Sequence, residues 1–113
     1  MKIALIDDKD YWLDQIKNSI PKETDFKLYY FSTYKDAVNS FFDIIFLDYY
    51  LDKDWLTGKD IIHLLDANII IWFSSVPDCN NELTRIWADF GITKLKSQTN
   101  TDLNQLMKKI CRD

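Results

Sequence analysis

Short continuous apolar runs alternate along this chain with stretches whose apolar residues fall at helical spacing. Lys2 to Ile6 is the first run and stops at Asp7-Asp8. Leu13, Ile16 and Ile20 then share one helical face, which predicts a helix from about Asp10 to Ile20, capped by Asp8 or Asp10 and ended by Pro21. Phe26 to Phe31 is dense in β-forming aromatics and predicts a second strand. Thr33-Tyr34-Lys35-Asp36 has the form of a capping box with Asp in place of Glu, and predicts a helix through Ala37, Val38 and Phe41. The run from Ile44 to Leu47, ending at Asp48, reads as a strand buried on both faces. A loop over 49–57 closes at Gly58, and a short helix is predicted from Asp60 to Asp66. Ile69 to Phe73 is a fourth strand, ending at Ser74-Ser75. Leu83, Ile86, Trp87 and Phe90 form a helical stripe with Gly91 placed as a C-cap. Ile92 to Leu95 is a short fifth strand. Thr99 to Asp102 reads as a second cap, before a helix carrying Leu103, Leu106, Met107 and Ile110. Five strands alternating with five helices imply a doubly wound α/β fold: a parallel sheet, helices on both faces and right-handed crossovers.

In open α/β sheets, ligands bind beyond the carboxyl ends of the strands. Polar groups of this chain gather there. Asp7 and Asp8 follow the first strand, Asp48 the third, Ser74 the fourth, and Lys94 or Lys96 the fifth. Each alone is commonplace, since acids cap helices, serines end strands and lysines are solvated. Their joint placement at one edge of one sheet marks a site. Clustered carboxylates repel and need a cation or a proton. An oxygen-only donor set suits Mg²⁺, which takes few carboxylates together with water and phosphate.

Composition narrows the setting. The 113 residues suit a single domain over 1–113, and 47% hydrophobic with 28% charged residues is ordinary for a soluble globular protein. No stretch approaches the roughly 18 apolar residues of a membrane span. The first residues turn acidic too soon for a signal peptide. A net charge of −4 argues against a nucleic-acid or anionic-membrane partner. The two cysteines, Cys79 and Cys111, show no metal spacing and no disulfide framework, so a cytoplasmic setting is expected. His63 reads as a surface or satisfied histidine. Trp12, Trp72 and Trp87 read as core, with Trp55 set apart in a polar loop near the site.

An acidic pair after the first strand, Asp48 after the third, Ser74 after the fourth and a lysine after the fifth resemble the marks of response regulator receiver domains of two-component signalling. The resemblance covers the whole chain. It implies a flavodoxin-like (CheY-like) five-stranded sheet of order 2-1-3-4-5, which sets Asp7, Asp8 and Asp48 together at the switch point. It further implies that Asp48 is the phosphoacceptor. Mg²⁺ would be bound by Asp8, Asp48 and the Tyr50 carbonyl, with Asp7 acting mostly through water. Ser74 and a lysine would contact the phosphoryl group, Ser75 would leave it accessible, and Tyr50 and Val76 would tune its lifetime. The implied partners are a sensor histidine kinase or phosphotransfer protein and an output protein, met by a monomer or weak homodimer.

Lys96 is expected to be the phosphate lysine. Its spacing from Ser74 matches the family, and it stands some ~6–7 Å of strand rise nearer the carboxyl end than Lys94. Lys94 is the alternative, because the run from Ala88 into it resembles the family's own. The chain departs from the family in several places. No proline follows either lysine or Asp48, Thr93 stands where an aromatic switch residue is usual, and the Asp48–Gly58 loop is long. Two other readings stand beside the receiver. One is a degenerate receiver acting only as a binding module. The other is a haloacid dehalogenase-type phosphatase using Asp8 and Asp10 of Asp8-Lys9-Asp10, which leaves Asp48 without a role.

Overall fold

Five parallel strands form one sheet in the computed structural model, which describes residues 1–7, 9–48, 50–51, 56–57, 62–74, 90–93 and 99–111. Strands β1 (Lys2–Ile6), β2 (Lys27–Phe31), β3 (Phe41–Leu47), β6 (Asp66–Ser74) and β7 (Phe90–Thr93) lie in the order β2-β1-β3-β6-β7. This is the predicted order, with β6 and β7 as its fourth and fifth strands. Two-residue strands β4 (Tyr50–Leu51) and β5 (Leu56–Thr57) pair antiparallel within what reads from sequence as a plain loop.

β3 lies between β1 and β6 and is buried on both faces, as its unbroken apolar run requires. Ile44 and Phe46 join Ile3, Leu5, Ile71 and Phe73 on one face. Helices α1 (Leu13–Ser19) and α2 (Thr99–Cys111) cover that face with Ile16, Leu103 and Met107. Ile45 and Leu47 join Ala4, Ile6, Ile70 and Trp72 on the other. Each such fully buried side chain contributes roughly 1.5–3 kcal/mol of hydrophobic stabilisation before entropy is counted. At the amino edge, the Lys2 N–H donates to Asp43 Oδ2 at 2.7 Å and its ammonium stands 5.3 Å from the Phe42 ring centre. No helix among the described residues is long and apolar enough to cross a membrane.

Several predicted helices contract. Asp10 does not cap α1 as expected, and Asp8 lies outside the described residues. The N-cap is Trp12, with no side-chain cap bond, and the Leu13 N–H donates to the Asp10 carbonyl instead. Ile20 leaves the helix in an extended conformation, as a residue before proline should. The helix expected after Thr33 is only a 3-10 turn, Tyr34–Asp36, without a side-chain cap. Asp36 has a shorter reach than the Glu of a capping box, and β-prone Phe41 is drawn into the ladder opposite Asp66. Asp60 and Ile61 of the helix expected over Asp60–Asp66 lie outside the described residues; the rest is the 3-10 turn Ile62–Leu64, and Asp66 opens β6.

Phe90 and Gly91, expected in a helical stripe and its cap, lie in β7 opposite Ile71 and Trp72. The fifth strand therefore begins two residues before the expected Ile92, and Lys94 and Leu95 lie outside the described residues. Trp72, the largest fully buried side chain among the described residues, has Gly91 as its register partner, a pairing that sequence periodicity cannot foresee. Of the five predicted helices, two are α-helical among the described residues, and the helical stripe from Leu83 to Trp87 lies outside them.

Candidate functional site

The site begins with the ladder at the carboxyl edge. The Asp7 N–H donates to the Phe31 carbonyl at 3.1 Å, and the Asp48 N–H donates to the Ile6 carbonyl at 3.0 Å. These bonds carry parallel pairing one residue past β1 and β3. The register partners Ile6 and Leu47, continued by one step, set Asp7 level with Asp48 on neighbouring strands. Neighbouring strands lie about 4.8 Å apart. Asp7 is 2% and Asp48 8% exposed, so two carboxylates share a largely desolvated edge.

Aromatic packing forms the floor of this edge. Phe73, which precedes Ser74, meets Phe46 edge-on with ring centres 5.7 Å apart. Trp12 meets Phe73 edge-on at 5.5 Å, and Tyr11 meets Trp12 at 5.0 Å. Trp12 thus pins the segment that follows the first acidic residues onto the strand that carries Ser74. Tyr11 stays exposed beside it.

The predicted residues fall into three groups. Asp7 and Asp48 are brought together. Ser74 ends β6 with Thr93 as its register partner, and Tyr50 opens β4 two positions after Asp48, paired with Thr57. Asp8, Ser75, Val76, Lys94, Lys96 and Trp55 lie outside the described residues. Among the described residues, no three His, Cys, Asp or Glu side chains gather as a metal cluster. Asp7 and Asp48 are two acids of the expected three.

Two contacts at Asp7 are not visible in the sequence. The Lys9 N–H donates to Asp7 Oδ1 at 3.1 Å, and the Tyr30 hydroxyl donates to the Asp7 backbone carbonyl at 3.0 Å. The second depends on the β1–β2 register, which no local pattern encodes.

An order of β2-β1-β3-β6-β7, with acids at the ends of β1 and β3, has clear counterparts among solved structures. A receiver domain from Rhodospirillum rubrum superposes with a TM-score of 0.70 at 18% identity, over 100% of this chain and 95% of that one. The response regulator domain of Thermotoga maritima CheB gives 0.72 at 21% identity, over 99% and 94%. The Thermotoga maritima response regulator TrrA, in complex with Mg²⁺-BeF, gives 0.71 at 17% identity, over 98% and 96%. The chain has the receiver-domain fold. No protein-family model and no curated protein matches its sequence. Identities this low carry the receiver fold and its strand order, and leave the chemistry to the residues of this chain.

Proposed function

We propose that residues 1–113 form a receiver domain that accepts a phosphoryl group on Asp48, from a sensor histidine kinase or a phosphotransfer protein. The observation that carries this reading is the pairing of buried Asp7 and Asp48 at the ends of adjacent strands. A pair of desolvated, ionised carboxylates is unfavourable unless a cation or a proton relieves it, and relief by a cation accords with this reading. Their all-oxygen donor set fits Mg²⁺. Asp8, Asp48 and the Tyr50 carbonyl would hold the ion, with Asp7 acting mostly through water, and the ion would supply charge neutralisation for a bound phosphoryl group. The mimic-bound TrrA structure supports the same reading by similarity of fold.

In the proposed transfer, a carboxylate oxygen of Asp48 forms a bond to phosphorus as the donor's bond to phosphorus breaks. The donor leaves with that electron pair, and an acyl phosphate remains. Ser74 donates its hydroxyl to the phosphoryl group, and a lysine ammonium neutralises it. Ser75 leaves access, and Tyr50 and Val76 tune the lifetime. For the lysine, spacing from Ser74 favours Lys96, with Lys94 as the alternative. Output runs through contact with a partner protein, from a cytoplasmic monomer or weak homodimer.

Asp10 is exposed and its carbonyl serves the first turn of α1, which supports the receiver over the Asp8/Asp10 phosphatase. The deciding experiment is intact mass after incubation with Mg²⁺ and acetyl phosphate. Wild type gains one phosphoryl mass and Asp48→Asn gains none. Equal labelling of both would remove Asp48 from the role. No labelling of wild type would leave the degenerate, binding-only receiver. Steady turnover of a phosphate monoester, lost in Asp10→Ala, would favour the phosphatase.

A further inference from the structure

We infer that Tyr30 is a positioning residue for the acidic strand end, acting through the Asp7 carbonyl; this rests on the proposed magnesium site. Asp7 donates to the carbonyl of Phe31, the last residue of β2. Continued parallel pairing would bring the Thr33 N–H to the Asp7 carbonyl, but β2 has ended and Thr33 leads into the 3-10 turn Tyr34–Asp36. The Tyr30 hydroxyl supplies a donor to that carbonyl at 3.0 Å.

The reach follows from register. Tyr30 is the partner of Leu5, so Asp7 stands two residues further along β1, about 6.6 Å of rise. The Tyr30 side chain leans along the strand to span that rise. Its ring packs against the core cluster of Leu5, Ile16 and Phe46, which holds it in one orientation.

The mechanical consequence is specific. A carbonyl shares its rigid peptide plane with the next N–H, so clamping the Asp7 carbonyl sets the plane that leads out of Asp7. The Phe31 carbonyl, the Lys9 N–H and the Tyr30 hydroxyl then restrain Asp7 at its amide, carboxylate and carbonyl. A metal-binding carboxylate depends on such outer partners for its orientation, and their loss typically lowers metal affinity about tenfold or more.

The experiment is calorimetric titration with Mg²⁺ alone of wild type, Tyr30→Phe and Tyr29→Phe, with urea unfolding of each in EDTA. Tyr29 is the control, since it sits in the same strand but packs on the opposite face. The expected result is magnesium affinity about tenfold weaker in Tyr30→Phe, unchanged in Tyr29→Phe, with near-equal unfolding midpoints. The initial rate of labelling by acetyl phosphate in Tyr30→Phe should return toward wild type at saturating Mg²⁺. A lower midpoint with unchanged affinity would make Tyr30 purely structural and overturn the inference. Unchanged affinity and midpoint would overturn it as well. If wild type itself binds no Mg²⁺, the magnesium site fails, and the positioning role fails with it.

Discussion

Replacing Asp48 with Asn should stabilise the metal-free protein. Asp7 and Asp48 stand level on adjacent strands and are nearly buried, 2% and 8% exposed. With charges about 5 Å apart and an effective dielectric near 20, the repulsion is about 3 kcal/mol. Solvent at the open carboxyl edge screens part of this, which leaves about 1–2 kcal/mol. Asn has nearly the shape of Asp, so packing is retained and the removed charge dominates. For a domain of this size, that energy raises the melting temperature by about 5 °C. Thermal unfolding followed by circular dichroism in EDTA measures it. Mg²⁺ should then raise the melting temperature of wild type more than that of Asp48→Asn, narrowing the gap, because the ion relieves the same repulsion. A variant that melts below wild type in EDTA would refute the reasoning. A gap that Mg²⁺ leaves untouched would separate the two carboxylates from any ion site.

Two further predictions concern the lysine and the core. With beryllofluoride as phosphoryl mimic, Lys96→Ala should blunt the chemical-shift changes seen far from Asp48, while Lys94→Ala should leave them largely intact; the reverse pattern would move the role to Lys94. Phe46→Ala should cost about 3–5 kcal/mol in urea unfolding, since Phe46 is fully buried and packs edge-on against Phe73. A loss below about 1 kcal/mol would mean that the ring is not part of a close-packed core.

The five strands of the main sheet and the acids at their ends were legible in the sequence, the strand order followed from the family resemblance, and the short β4–β5 pair was not foreseen. A strand buried on both faces must be apolar throughout, so Ile44 to Leu47 announces its central place, and Asp48 marks where the apolar run stops. The stripe Leu103, Leu106, Met107 and Ile110 likewise names the face that α2 turns to the sheet. Where the sequence misled, a local pattern competed with a ladder elsewhere in the chain. Thr33 to Asp36 has the form of a helix start, yet Phe41 gains more by pairing with Asp66 than by extending a turn. Phe90 fits a helical stripe and Gly91 a cap, yet the edge of β6 offers Phe90 a partner in Ile71 and sets Gly91 beside Trp72. Spacing in the sequence favours Lys96 over Lys94, and both lie outside the described residues. Tyr30 makes the same point at the site. Its hydroxyl meets the Asp7 carbonyl because Leu5 pairs with Tyr30 across two strands. Helical and strand periods are short-range properties of the chain. Register joins residues far apart in sequence, and it is decided only when the strands pair.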